Sequence, residues 1–304
     1  MKISIVTPSF KRLDYFEATI DSIVNQEGDF ELEYIVQDGG GDERIASFLE
    51  RKATQIKLKN KKVDFKYFIE KDDGMYSAIN RAFARSTGDI LAWLNTDDMY
   101  HPFALSTVHE VFSKNEDVDW ITGIPNSYNM RGQRVGFDSF PNSYSRKFIR
   151  AGYYDVQNLD CGLNWIQQES TFWRRSLWNK AGPLNENLKL AADFHLWQRF
   201  AKYTDLVKVY SFLGGFRNHD NQLTNAPEKY KSEMPIVHVP AGLRELKMAL
   251  DTEHNAKEKY LAFSDESMQR LTERFGLLRK DLCGRIVKWS HEKNEWQVFW
   301  EVIQ

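Results

Sequence analysis

Four short apolar runs in the first hundred residues are predicted β-strands, and each is followed by polar or glycine residues. The runs are residues 3–6, 34–36, 65–69 and 90–94. After the first and third runs, apolar residues recur at spacings of three and four, which is typical of amphipathic helices. Alternating strands and helices predict a parallel sheet with helices on both faces. The sequence therefore favours an α/β fold.

The ends of these strands carry the candidate site. Ligands of such sheets bind outside the carboxyl ends of the strands. The polar segments at that edge are Thr7–Ser9, Asp38–Gly41, Asp72–Gly74 and Asn95–Asp98. The oxygen ligands of the last segment suit Mg²⁺ or Mn²⁺, which pair one or two carboxylates with substrate phosphates. An ordinary Asn/Asp turn is the alternative for that segment. The convergence of the four segments favours a binding site.

Composition and absent motifs exclude several classes of protein. The chain has 304 residues and a net charge of -2, which disfavours nucleic-acid binding as its main function. Cys161 and Cys283 are far apart, which disfavours a zinc site or a disulfide scaffold and favours the cytoplasm. No apolar run reaches the roughly 18 residues of a transmembrane helix. Dehydrogenases and P-loop kinases fit poorly because neither glycine-rich phosphate motif occurs.

Several polar residues have both a structural and a functional interpretation. Asp38 and Asp72 either cap their own turns or accept hydrogen bonds from a nucleoside. Asp193 opens a helical pattern, where it is either an N-cap or a general base for a sugar hydroxyl. Arg217 and His219 follow two glycines and are candidates for a diphosphate contact and a metal ligand. A structural histidine is the alternative for His219.

Six segments in a fixed order resemble the bacterial family 2 glycosyltransferases of the inverting GT-A type. They are Thr7-Pro8, Val36–Gly40 (similar to Val-Asp-Asp-Gly-Ser), Glu70–Asn80 (similar to Asp-x-Gly-x-Tyr-x-Ala-x-Asn), Thr87–Asp98, Gln168–Arg175 and the Asp193 helix. The resemblance covers about residues 1–224. It implies a nucleotide-binding, Rossmann-like mixed sheet with helices on both faces.

The resemblance also implies a nucleotide-diphosphate sugar donor and one Mn²⁺ or Mg²⁺ ion. Among nucleotide sugars, a UDP-sugar is the favoured donor. The implied donor-binding residues are Thr7, Pro8, Asp38, Asp72, Asn95 and Thr96. Asn95-Thr96-Asp97 occupies the family's Asp-x-Asp position, so Asp97 is the implied metal ligand. Asp98 and His219 are further metal candidates, and Gln168 and Arg217 are acceptor or diphosphate candidates. The amide of Asn95 in place of a carboxylate predicts weaker metal affinity.

The implied reaction is a single displacement at the anomeric carbon, with Asp193 deprotonating the acceptor hydroxyl. The acceptor would be a saccharide or a lipid-linked molecule in surface polysaccharide assembly. Ala192 replaces the family's usual Glu and Gln37 replaces an Asp, so acceptor and base preference are not transferred. A nucleotidyltransferase, a lectin-like binding module and a degenerate, non-catalytic family member remain as alternatives.

The chain is predicted to contain a catalytic domain over residues 1–225 and a helical extension over residues 226–304. Within the domain, about residues 1–125 would bind the donor and about residues 126–225 the acceptor. Met268, Leu271, Phe275 and Leu278 predict an amphipathic helix in the extension, and its last turns are predicted to carry Trp289, Trp296, Phe299 and Trp300. Packing on the domain, pairing of two subunits and contact with the inner face of the plasma membrane are alternative roles for the extension.

Overall fold

The computed structural model describes residues 1–60, 62–138, 143–154, 165–220, 222, 227–234, 281 and 283–302. The helices in these ranges are α1 (Phe16–Val24), α2 (Glu43–Lys59), α3 (Met75–Arg85), α4 (Ala104–Lys114), α5 (Arg146–Ala151), α6 (Arg175–Ala181), α7 (Ala192–Phe200) and α8 (Pro227–Glu233). The strands are β1 (Lys2–Ser9), β2 (Glu31–Asp38), β3 (Val63–Ile69), β4 (Ile90–Trp93), β5 (Met99–Tyr100), β6 (Trp120–Thr122), β7 (Asn126–Tyr128), β8 (Arg134–Phe137), β9 (Thr171–Arg174), β10 (Val207–Val209), β11 (Gly214–Arg217), β12 (Cys283–Ser290) and β13 (Glu295–Val302). The four predicted strands correspond to β1 to β4 and are confirmed.

Within the described ranges, nine strands form one mixed sheet in the order β13-β12-β10-β6-β9-β4-β1-β2-β3. As predicted, β1 to β4 are parallel to their neighbours among themselves. β9 runs antiparallel between β4 and β6. Ser9 pairs with Asp38, and Asp38 pairs with Ile69. Because these registers align the strand ends, the predicted polar segments meet at one edge.

Helices cover both faces of this sheet because successive strand side chains point to opposite sides. On β1, Ile5 belongs to a buried cluster that includes Ile20 of α1 and Leu49 of α2. Its neighbour Val6 belongs to a second cluster, with Ile79 of α3 and Leu196 of α7. The predicted α/β class with helices on both faces is therefore confirmed.

An aromatic cluster fixes α7 against the sheet. The Trp173 ring of β9 lies 5.6 Å from Trp93, 5.7 Å from Trp197 and 5.5 Å from Phe200, between ring centroids. Leu196, Trp197 and Phe200 are all buried, as the helical spacing predicts. Burying large aromatic side chains contributes strongly to stability. The start of α7 is thus held next to the end of β4.

A second, smaller sheet closes the same edge. Its described strands are ordered β5-β11-β7-β8. β5 begins immediately after Asp98, and Tyr100 of β5 pairs antiparallel with Gly214 of β11. This pairing brings together residues that are more than a hundred positions apart in the chain. Because β11 also carries Arg217, it places that residue next to Asp98.

The helical prediction for the extension is wrong for its last described residues. Residues 283–302 form the antiparallel hairpin of β12 and β13, in which Trp289 pairs with Trp296. β12 joins the large sheet by pairing in parallel with β10. The spacing of the aromatic residues fits the period of a helix and that of a strand. A polar four-residue turn, however, divides the segment into two runs with high β-propensity. Met268, Leu271, Phe275 and Leu278 lie outside the described residues. None of the described helices is long and apolar enough to span a bilayer.

Candidate active site at the carboxyl edge of the sheet

The turn after β4, residues 95–98 (the β4 turn), is anchored from below by a threonine. Thr19 of α1 is buried, and its hydroxyl lies 2.8 Å from the carbonyl oxygens of both Thr96 and Asp98. The Asp98 backbone N–H donates to the Asn95 carbonyl at 3.3 Å. An interior threonine that bonds to distant carbonyls favours one conformation, because those oxygens would otherwise be buried without partners. The β4 turn is therefore fixed to α1.

Arg217 supports the same turn from β11. Its Nε donates to the Asp97 carbonyl at 2.6 Å, and its Nη1 lies 3.2 Å from the carbonyls of Asn129 and Met130. The guanidinium carbon lies 4.7 Å from the centre of the Tyr15 ring. The residue is 1% exposed. This placement corrects the predicted diphosphate contact of Arg217, since the guanidinium lies beneath the turn and bonds to backbone oxygens.

Asp98 turns its carboxylate into the protein. It is 1% exposed, and its Oδ1 accepts a hydrogen bond from the Arg217 backbone N–H at 2.9 Å. Burial, followed by the charge of Glu169, raises the pKa of Asp98 well above its usual range. Burial likewise raises the pKa of Glu169. One carboxylate oxygen of Asp98 is engaged by the backbone of β11, and its metal role stays a prediction.

Asp97 and His219 form the pair best suited to a divalent cation. Asp97 Oδ2 lies 3.0 Å from His219 Nε2. The His219 side chain is only 6% exposed and its ring packs 4.9 Å from that of Tyr15. Among the described residues, no three His, Cys, Asp or Glu side chains converge as a complete metal cage. One carboxylate and one imidazole suit a cation whose other ligands are water and substrate phosphate.

The predicted nucleoside residues lie at the ends of β2 and β3. Asp38 Oδ1 accepts from the Gly40 N–H at 2.8 Å, and Asp72 Oδ1 accepts from the Gly74 N–H at 2.9 Å. Burial raises the pKa of Asp38. A Cβ on Gly39 would lie 3.0 Å from Asp72 Oδ2. Asp72 therefore packs closely against the backbone that follows Asp38, and a Cβ at position 39 would crowd its carboxylate.

Asp193 lies in the first turn of α7. Burial, with a smaller contribution from the charge of Glu233, raises the pKa of Asp193 to about 6, although backbone N–H groups of Phe194 and Asp193 itself oppose the rise. Asp193 Oδ1 accepts no hydrogen bond from the described residues. Ala191, two residues before Asp193, occupies the N-cap position of the helix. A carboxylate with this pKa and a buried oxygen that lacks a hydrogen-bond partner among the described residues suits a general base near neutral pH.

One cleft of about 540 Å³ joins these features. The predicted site residues that line it are Pro8, Asp72, Asn95, Thr96, Asp97, Asp98, Gln168 and Asp193. Gln168 is held there because its Nε2 donates to the Trp93 carbonyl at 2.7 Å. Thr7 and Asp38 are buried behind the wall, where Thr7 Oγ1 accepts from the Tyr34 hydroxyl at 3.1 Å. His219 borders a small adjoining pocket with Asp97.

Sequence reasoning assigned no role to several other lining residues. Phe10, Trp93, Glu169, Phe216 and Tyr230 also border the cleft. Glu169 directly follows Gln168 in a segment that carried the family resemblance, so its position was a usable signal. Tyr230 lies on α8, beyond the resemblance, and no motif pointed to it.

A cleft at the carboxyl edge of a mixed α/β sheet, with a strand-end carboxylate and a separate carboxylate on a helix, is where open α/β sheets bind their ligands. The model of the family described as "Glycosyl transferase family 2" matches residues 4–175. The chain belongs to this family. The predicted family is therefore confirmed.

Bacterial relatives also carry glycosyltransferase names. An uncharacterized glycosyltransferase of Rickettsia typhi is 24% identical over 229 residues, 73% of this chain and 66% of that protein. This chain thus spans slightly less than two thirds of that relative. A "PGL/p-HBAD biosynthesis glycosyltransferase" of Mycobacterium bovis is 28% identical over 63% of this chain and 66% of its own length.

Solved structures of S. aureus TarS share the fold. Residues 1–349 of TarS in complex with UDP-GlcNAc align with a TM-score of 0.57 and 14% identity, over 90% of this chain and 72% of that chain. The complex of the same fragment with UDP aligns with a TM-score of 0.53 and 13% identity, over 89% of this chain and 78% of that chain. These alignments confirm the predicted GT-A type fold.

Proposed function

We propose that the protein is an inverting glycosyltransferase that moves a sugar from a nucleotide-diphosphate donor, most of all a UDP-sugar, to a hydroxyl of a saccharide or lipid-linked acceptor. One observation carries this proposal: Asp97, Asp72 and Asp193 line the same cleft. The candidate metal ligand Asp97, the candidate nucleoside contact Asp72 and the candidate base Asp193 thus border one cleft, and its volume is large enough for two substrates.

The relatives support the choice of substrates. The TarS structures hold UDP-GlcNAc or UDP, which favours a uridine donor for a chain of the same fold. The mycobacterial relative is named for PGL/p-HBAD biosynthesis, which favours a biosynthetic role for this chain, and we propose an acceptor of surface polysaccharide assembly. We place the reaction in the cytoplasm, where nucleotide sugars are supplied, with contact to the inner membrane face when the acceptor is lipid-linked.

The proposal includes one Mn²⁺ or Mg²⁺ ion, which Asp97 and His219 would hold. Their ligand atoms lie 3.0 Å apart, and one carboxylate oxygen with one imidazole nitrogen fits such an ion when diphosphate oxygens complete its shell. When bound, the ion would offset negative charge on the leaving diphosphate. Thr19 and Arg217 fix the backbone of the β4 turn, so Asp97 would be positioned before the donor arrives.

The chain's own residues account for the remaining steps. The acceptor oxygen attacks the anomeric carbon while the bond from that carbon to the diphosphate oxygen breaks. The hydroxyl proton passes to the carboxylate of Asp193, whose pKa of about 6 leaves it ionised at neutral pH. A single displacement of this kind inverts the anomeric configuration and leaves a nucleoside diphosphate. Asp72, which lines the cleft, would hold the nucleoside, and Asp38 would support the adjacent turn from behind the cleft wall.

The test uses the full chain with a panel of UDP-, GDP- and dTDP-sugars, with and without Mn²⁺. A bound donor raises the melting temperature in proportion to site occupancy. We expect Asp97→Asn to lose the Mn²⁺-dependent shift, and Asp193→Asn to keep it while losing sugar transfer. NMR of the product anomeric proton measures inversion.

Three outcomes would overturn the proposal. A donor-induced shift without transfer in the wild type would indicate a binding module or a degenerate family member. Release of a sugar 1-phosphate in place of a nucleoside diphosphate would indicate a nucleotidyltransferase. Unchanged transfer by Asp193→Asn would exclude this residue as the base.

A further inference from the structure

Glu233, the last residue of α8, binds the backbone that leads into α7. Its carboxylate accepts hydrogen bonds from the N–H groups of Lys189 at 2.8 Å, Leu190 at 2.8 Å and Ala191 at 3.0 Å. Backbone N–H groups at a helix start have no partner within the helix, and a carboxylate there is also favoured by the helix dipole. Glu233 thus caps, from another helix, the segment that presents Asp193.

The carboxylate of Glu233 is held in place by packing around it. Met234 follows it and is 4% exposed, in a buried cluster with Ala191 and Phe194 of the α7 region. Tyr230, one turn earlier on α8, packs against this cluster and also lines the cleft. α8 therefore forms part of the cleft wall next to the proposed base.

The next backbone N–H is bound as well. The Ala192 N–H donates to the Tyr76 hydroxyl of α3 at 3.3 Å. The N–H groups of residues 189–192 donate to Glu233 and Tyr76. They are therefore not available to donate to the carboxylate of Asp193. Asp193 Oδ1 accordingly has no partner among the described residues.

We propose that Glu233 is a positioning residue of the transfer reaction, which holds residues 189–191 so that the Asp193 carboxylate is presented to the acceptor hydroxyl. This inference rests on the proposed role of Asp193 as base. Three titratable groups from other elements interact with Asp193: Glu233, Glu169 and Tyr76. Burial is the main cause of the raised pKa of Asp193, and the negative charge of Glu233 adds to it.

The test compares Glu233→Gln with Glu228→Gln. Glu228 lies on the same helix, its side chain is 85% exposed, and its carboxylate contacts Lys231 at 3.2 Å. Both variants remove one negative charge from α8. For Glu233→Gln we expect kcat to fall by about ten- to a hundredfold, as a small misplacement of a reacting group does. The donor KM should be unchanged. The acidic limb of the kcat profile should move to lower pH, because Asp193 loses a negative neighbour and ionises more easily. Glu228→Gln should show neither change.

Hydrogen exchange at the amides of residues 189–191 gives a measurement that does not depend on turnover. These amides should exchange faster in Glu233→Gln than in Glu228→Gln, because the hydrogen bonds that protect them are weakened. Equal exchange in the two variants would overturn the proposal. So would a loss of kcat that matches a loss of folded protein, with the acidic limb unmoved. If the wild type transfers no sugar, the proposed function fails, and exchange still tests the contact.

Discussion

Replacing Asp193 with asparagine should stabilise the folded protein above about pH 6 while it removes sugar transfer. Burial raises the pKa of Asp193 from 3.8 to about 6. Between these values the folded state retains a proton that the unfolded chain has released, so wild-type stability falls as pH rises through this window. The two pKa values differ by about 2, which corresponds to about 3 kcal/mol of unfolding free energy. Asparagine has the same size and no charge to bury, so the variant avoids this loss.

Urea unfolding of both proteins from about pH 4 to about pH 8 measures the effect as a difference in free energy of unfolding. The two should be nearly equal at the acidic end, where the folded wild type is protonated. The variant should gain up to about 3 kcal/mol at the alkaline end. Glu116→Gln, at an exposed carboxylate, serves as the control and should show no such trend. A difference that does not change with pH, or a variant less stable than wild type at about pH 8, would refute the reasoning.

Three further substitutions test the stability of the sheet and the support of the site. Glu33→Gln should lower the free energy of unfolding by about 2–3 kcal/mol at neutral pH. Burial raises the pKa of Glu33, but hydrogen bonds from Lys66, Ser4 and Thr87 outweigh it and lower the pKa to about 2. The stability that this group gives the wild type should therefore be lost as pH falls from 4.5 towards 2, which acid unfolding measures. Thr19→Val should cost about 1–3 kcal/mol and weaken donor binding, since two carbonyls of the β4 turn lose a buried partner; Thr54→Val, which removes an exposed helix contact, should leave donor-induced thermal shifts intact. Gly214→Ala should cost about 1–3 kcal/mol and reduce transfer, because a Cβ would collide with the Glu169 carbonyl beside the cleft; a crystal structure with residues 168–170 unmoved would contradict this.

The strand-end edge could be predicted because its signals are local. An apolar run that stops at acids or glycines marks a strand end, and parallel pairing then brings such ends together. The contacts of Asp72 and Asp97 with the cleft followed from this rule alone. The inward faces of α3 and α7 were predicted for the same reason, since helical periodicity is a local property.

The orientation of individual carboxylates could not be predicted in this way. Asp98 turns inward because it accepts from the N–H of Arg217, 119 residues later in the chain. Arg217 in turn was expected at the diphosphate because arginines often bind phosphate, and only the tertiary structure shows it beneath the β4 turn. The hairpin at Trp289 and Trp296 was missed because a short aromatic-rich segment fits helical and strand periods alike.

The insertion of β9 between β4 and β6 has a consequence for how the chain folds. A nascent chain that ends before Thr171 contains β4 and β6 but leaves one edge of β4 and both edges of β6 without a native partner. Unpaired edges of this kind are sites of misassembly. Closing the sheet also requires contacts between residues about eighty positions apart, such as Ile90 with Arg174, which slows folding. The central part of the large sheet therefore cannot be completed until Thr171–Arg174 has been synthesised.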